Sequence, residues 1–226
     1  MTSFTHSLPS PPKVSSFVVD FEKGLWKGLR SVFDDPVIHG CSFHFKQALY
    51  KQVQKKGLTH EYEQNGSVYN LLRKVFALPF LPADDIADAF QKLNEKVDAS
   101  AVRLTAYFNY VRETWITNTM WPLPSISVYG RSIRTNNDVE GWHNRINRRA
   151  MKSGLPLYLL ITLLYTEVSN VPTQLKLIKE GKLRRHQRKQ QDAKMKHLND
   201  LWTKYGEKTV KAGYILKHIG DLALPI

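Results

Sequence analysis

The chain has 226 residues, a formal charge of +13 and a pI near 9.7, with 42% hydrophobic and 11% aromatic residues. That apolar share excludes wholesale disorder, and the basic balance points to an anionic partner, nucleic acid first among them. A single cysteine, Cys41, excludes an internal disulfide framework, and no apolar run reaches the ~18 residues of a membrane span, so an intracellular chain without a membrane segment is expected.

The first residues, "MTSFTHSLPSPPKVSS", lack the long apolar stretch of a secretory signal. They are rich in Ser and Pro, so 1–13 is expected to be a disordered N-terminus. "VSSFVVD" (14–20) is a short β-branched run closing on an acid, and predicts a buried strand. "FEKGLWKGLRSVF" (21–33) follows with Leu25, Trp26, Leu29 and Phe33 at helical spacing. "DDP" breaks it, and "VIHG" (37–40) predicts a second strand. The simplest pairing of such a strand–helix–strand unit is parallel and right-handed.

A helix over 43–57 carries Phe45, Ala48, Leu49 and Val53 as its apolar stripe and stops at Gly57. Helical periodicity then fills 67–78, 83–97 and 100–116, with Pro79 and Pro82 separating the first two. "WPLPSISVYGRSIR" (121–134) predicts a proline-broken loop with room for a short strand at 125–129. Helix returns over 137–151. Pro156 opens a long helical stretch to about Tyr205, with breaks expected near "NVP" or at Gly181.

The C-terminal part concentrates the charge: from Thr173 onward there are 13 Lys/Arg against 5 Asp/Glu. Lys182, Arg184, Arg185, Arg188 and Lys189 lie in one short run, "KLRRHQRK". Such a run tracks phosphates, DNA or RNA, without reading bases, and it also suits a nuclear localisation signal. The bland alternative is a solvated helix face.

The stretch "RTNNDVEGWHNRIN" (134–147) holds one acid, Glu140, among polar neutral groups. Asn136 or Asn137 can cap the helix, and a carboxylate in a first turn is favoured by the helix dipole. Glu140, His143, Asn144 and Asn147 share a face, while Trp142, Ile146 and Ala150 form an apolar ridge beside it. Arg145, Arg148 and Arg149 fall elsewhere and are candidates for phosphate contact.

Three segments in order, "VVDFEKGLWKGLRSVF", "GCSFHFKQALYKQVQKKGL" with "ALPFLP", and "RTNNDVEGWHNRIN" with "LYLLITLLYTE", resemble the catalytic region of Mutator-like element (MULE) transposases. The resemblance runs from about Ser15 to about Glu167. It implies an RNase H-like DDE transposase, whose three acids hold two Mg²⁺ or Mn²⁺ ions for phosphodiester displacement on DNA. Hard divalent cations take carboxylate oxygens, and paired ions stabilise both the attacking and the leaving oxygen. The family's second acid matches Asp20 and its third Glu140, both catalytic and metal-binding. Its C-x-x-H matches Cys41 and His44. Asn137, Trp142 and His143 belong to the motif around Glu140. Zinc is disfavoured, since a structural site wants four ligands.

The first acid of the pattern has no counterpart: no Asp or Glu occurs between Met1 and Val19. The expectation is therefore a truncated, catalytically impaired relative that keeps DNA binding, or RNA binding. A non-enzymatic helical protein-interaction module is the alternative. The expected fold is mainly α with a small α/β remnant: a partial RNase H-like domain over 14–170, with a helical insertion at about 58–120. A basic helical extension is expected over 171–226. The strand before Asp20 lacks the sheet neighbours the family has, so its exposed edge is expected to invite a partner or a second copy.

Overall fold

The computed structural model describes residues 14–98, 100–150, 154–182 and 189–222. The N-terminal segment expected to be disordered lies outside the described residues, as do Arg184, Arg185 and Arg188 of the basic run. Among the described residues the chain is mainly helical, with one two-stranded parallel sheet. No described helix is long and apolar enough to cross a membrane.

The contacts divide the chain into two compact units. The first runs to Asn136 and resumes from Lys196; the second is Asn137–Met195. Of the basic extension expected over 171–226, the residues up to Met195 group with the second unit and those from Lys196 on with the first.

In the first unit, β1 (Phe17–Val19) leads into α1 (Lys23–Val32), then β2 (Ile38–Gly40), then α2 (Ser42–Lys55). The two strands pair in parallel with Phe17 opposite Ile38 and Val19 opposite Gly40. The ladder continues past the strand ends, where the Cys41 N–H donates to the Val19 carbonyl at 2.8 Å. Three residues per strand suffice because the sheet packs on an aromatic layer. Phe21 meets Trp115 and Trp121 edge-on at 4.7 and 5.7 Å, and Phe45 meets Trp115 at 4.8 Å. Gly40 is required here, since a β-carbon on it would stand 2.0 Å from the Phe21 ring. At the far end of α2, Gly57 adopts φ +68° and stops the helix as its position suggested.

Beyond α2 the helices are α3 (Thr59–Glu63), α4 (Ser67–Phe76), a 3₁₀ turn at Leu78–Phe80, α5 (Ala83–Asn94) and α6 (Val102–Val111). A π-turn at Arg112–Ile116 extends α6. The short strand expected at 125–129 does not form. Residues Leu123–Ile126 make one helical turn, α7, because Pro122 and Pro124 fix helix-compatible φ and remove the donors a ladder would need. Ser127 and Val128 instead make single bonds to the Leu81 and Pro79 carbonyls.

The long helix expected from Pro156 breaks at both anticipated places. It becomes α9 (Leu157–Ser169), α10 (Val171–Lys179) and α11 (Lys189–Gly206). A further helix, α12 (Ala212–Asp221), closes the first unit. Its Ile215, Leu216 and Ile219 are buried, and Arg73 of α4 reaches the Gly220 carbonyl and the Asp221 carboxylate. Trp202 of α11 donates to the Phe80 carbonyl at 2.9 Å.

Lys46 on α2 is part-buried, and burial, with Arg73 nearby, pushes its ammonium down to about 8 from 10.5. Between these values the unfolded chain holds a proton that the folded chain has released. Stability therefore rises with pH across that window. Relative to Lys46→Met, the wild-type chain should gain thermal midpoint between about pH 7.5 and about pH 10. A constant difference would remove the burial argument.

The second unit contains α8 (Asn137–Ala150), α9 and α10. Helix α8 packs on α9, and Ile146 is its buried residue. Trp142, which its spacing puts on an apolar ridge with Ile146, is exposed. Glu167 on α9 is 8% exposed and is held by both Arg145, at 2.6 Å, and Arg149. A buried carboxylate between two guanidiniums fixes α9 against α8 and sets which face of α9 points inward.

Candidate functional site

The first unit gathers its polar chemistry where β1 and β2 end. Parallel strands present their carboxyl ends on one side, and the residues just beyond them meet there. Asp20 follows β1 and Cys41 follows β2, so one ladder step brings both to the same edge. Asp20 is held through its backbone by Trp26, whose Nε1 donates to the Asp20 carbonyl at 2.7 Å. The first turn of α1 thereby fixes where the acid stands.

The Asp20 carboxylate has two partners on Oδ1. His44 Nδ1 lies 3.0 Å away, and Asn136 Nδ2 donates at 2.6 Å. The acid remains about a third exposed, and its Oδ2 accepts no hydrogen bond among the described residues. His44 stands one turn into α2 from Cys41, which is why a C-x-x-H spacing puts its ring back over the strand ends. Asn136 arrives from the segment after α7, whose Arg134 carbonyl accepts from both the N–H and hydroxyl of Ser42 at 2.9 and 3.0 Å.

Cys41 is fully buried, and burial pushes its thiol up. Backbone donors of His44, Asn136 and Phe43 pull it back in part. A buried neutral thiol packed under the strand ends supports the cluster and offers no exposed nucleophile.

The cluster therefore brings together Asp20, Cys41 and His44, three of the residues the sequence singled out. Asn136 was read as a helix cap, yet its side-chain amide serves Asp20 instead. Its Oδ1 is buried without a hydrogen-bond partner among the described residues. A local helix-start signal cannot reveal a bond across 116 positions.

The remaining motif residues sit on α8 in the second unit. Asn137 opens the helix and Glu140 lies in its first turn. His143 packs beside Trp142 with ring centroids 5.3 Å apart. Arg145 and Arg149, read as phosphate contacts, are committed to Glu167, whereas Arg148 is exposed. Lys182 is exposed and pairs with Glu180 at 2.9 Å; the Lys189 side chain lies outside the described residues.

One buried histidine carried no signal in the sequence. His39 in β2 is 7% exposed and its Nε2 is engaged by Arg131. Burial, and then the Arg131 charge, lower its pKa, so it is a neutral structural ring.

Chemically, the strand-end cluster offers one carboxylate with an open oxygen, one imidazole and one amide oxygen. That donor set fits part of the shell of a single divalent cation. It does not by itself supply the several carboxylates that two adjacent ions need. Comparison with protein-family models, curated proteins and solved structures finds no significant match to this chain.

Proposed function

We propose that this chain is a MULE transposase-derived, nuclear, nucleic-acid-binding protein with a reduced metal centre. In this reading Asp20 and Glu140 are the second and third acids of a partial RNase H-like domain. The observation that supports it is the position of Asp20: a partly exposed carboxylate at the carboxyl end of a parallel strand, flanked by His44 and Asn136. Glu140 follows Asn136 by four residues, on a first helical turn that favours a carboxylate.

By the resemblance, Asp20 and Glu140 are the residues that would hold Mg²⁺ or Mn²⁺. When bound, such an ion polarises a phosphodiester oxygen. The residues themselves do the rest. Trp26 fixes the Asp20 backbone, Asn136 donates to its carboxylate, and the His44 ring stands 3.0 Å from the same oxygen. A bound ion of this kind supports binding to a phosphodiester. DNA is the proposed ligand, with RNA as the alternative, and the second unit supplies the charge.

Titration of the full chain with Mn²⁺, followed by electron paramagnetic resonance of the free ion, tests the centre. Binding should weaken by about tenfold or more in Asp20→Asn and again in Glu140→Gln, on the scale of losing one charged ligand. Unchanged Mn²⁺ binding in both variants would sink the assignment. Nucleic-acid cleavage in Mn²⁺ that vanishes in both variants would show instead that the reduced centre still works.

A further inference from the structure

We infer that the outward face of α12 is a stacking platform for a base of single-stranded nucleic acid. The inference rests on the nucleic-acid reading and on no part of the proposed metal centre. Helix α12, "AGYILKHIGD", buries Ile215, Leu216 and Ile219 in the first unit. Arg73 of α4 ties down its last turn through the Gly220 carbonyl and the Asp221 carboxylate. With one face fixed in the core, the helical period assigns the other. Tyr214, Lys217 and His218 lie on that outer face, and Lys211, the residue that caps the helix, continues it.

Tyr214 is 42% exposed, and its ring stacks on His218 with centroids 3.9 Å and planes 29° apart. His218 Nδ1 donates to the Tyr214 carbonyl at 2.9 Å, which fixes the imidazole in place. Two flat rings are thus ordered in advance at the surface. A nucleobase can extend the stack without the cost of ordering them, and any base can do so because each has a π-face.

Charge identifies that base as one carried on a phosphate backbone. Lys211 and Lys217 are both exposed and stand three residues to either side of Tyr214. At 1.5 Å per residue they are about 9 Å apart along the helix. Neither pairs with a carboxylate among the described residues. Asp221, the one acid of α12, is already held by Arg73 at 3.2 Å. A strand with one base on the ring pair would pass an ammonium on each side of it. In a duplex the bases stack on each other and present only their edges in the grooves, so this platform selects single strands.

The test uses the full chain and three labelled probes read by fluorescence anisotropy: an oligothymidylate of about 12 nucleotides, an abasic strand of the same length, and a duplex of that length. Tyr214→Leu keeps an apolar side chain and removes the π-face. It should weaken oligothymidylate binding by about tenfold and leave duplex binding within about twofold. Tyr214→Phe should restore the loss, and His218→Leu should weaken the same probe independently. The abasic strand should bind the wild-type chain about tenfold more weakly than oligothymidylate and be indifferent to Tyr214→Leu. Lys211→Gln with Lys217→Gln should reduce the single-strand salt slope by about 1.4, at ~0.7 per phosphate. Far-UV circular dichroism checks that helix content is kept. Duplex binding retained while oligothymidylate binding ignores both Tyr214→Leu and His218→Leu would overturn the platform and leave the nucleic-acid reading standing. An equal loss for duplex and single strand would also overturn it. Failure to bind any of the three probes would sink the platform and the nucleic-acid reading together.

Discussion

Trp26→Ala should destabilise the first unit by about 3–5 kcal/mol, the range for removing a large buried aromatic. Trp26 is fully buried and contacts more than its own helix. Its ring stacks on Phe21 at 6.1 Å and meets Trp121 edge-on at 6.5 Å. Its Nε1 is the donor that holds the Asp20 carbonyl. Two effects can be separated. Trp26→Phe keeps most of the apolar area and removes only the donor, so its cost should be about 1 kcal/mol. Urea midpoints read by circular dichroism give both numbers. The site should respond differently: Trp26→Phe frees the Asp20 backbone, so Mn²⁺ binding should weaken more than stability does. Equal losses in the two variants would mean that the hydrogen bond, and not the ring, carries the effect. A loss under about 1 kcal/mol for the alanine variant would remove the aromatic layer as the core of this unit.

How much of this was legible in the sequence depends on how local each signal is. The strands were legible because "FVV" and "VIH" are β-branched or apolar runs bounded by breakers, and their parallel pairing followed from the intervening helix. Asp20 and His44 meet as the motif spacing suggested, since strand ends and a single helical turn are short-range geometry. Several interactions that the sequence did not reveal join residues distant in the chain. Asn136 looked like a cap but serves Asp20. Arg145 and Arg149 looked like phosphate contacts, and Glu167 takes both. Spacing put Trp142 and Ile146 on one apolar ridge, and of the two only Ile146 is buried. The expected strand after Pro124 failed for a local reason given too little weight: two prolines two residues apart favour a helical turn. Helix α12 carried an apolar stripe, Ile215, Leu216 and Ile219, that the density of lysines around it masked.

Raising KCl from ~50 to ~200 mM should lower the affinity of the full chain for nucleic acid by roughly 10³-fold, if about six phosphates are neutralised at a slope near −0.9 each. Arg145 and Arg149 already share Glu167, so they contribute less than their count suggests. Arg148 is exposed, and Lys176, Lys179 and Lys182 lie on or just after α10. The run from Arg184 to Lys189 adds four more cations in sequence. Phosphate contacts carry no base information, so duplexes of different sequence should bind alike and show the same slope. The proposed metal centre makes no demand on this step: binding should survive Glu140→Ala within about twofold. Replacing Arg184, Arg185 and Arg188 by glutamine should reduce the slope by about three, one unit per lost phosphate contact. Absence of binding to both duplex and single-stranded probes at ~50 mM salt would favour the helical interaction module over the nucleic-acid reading.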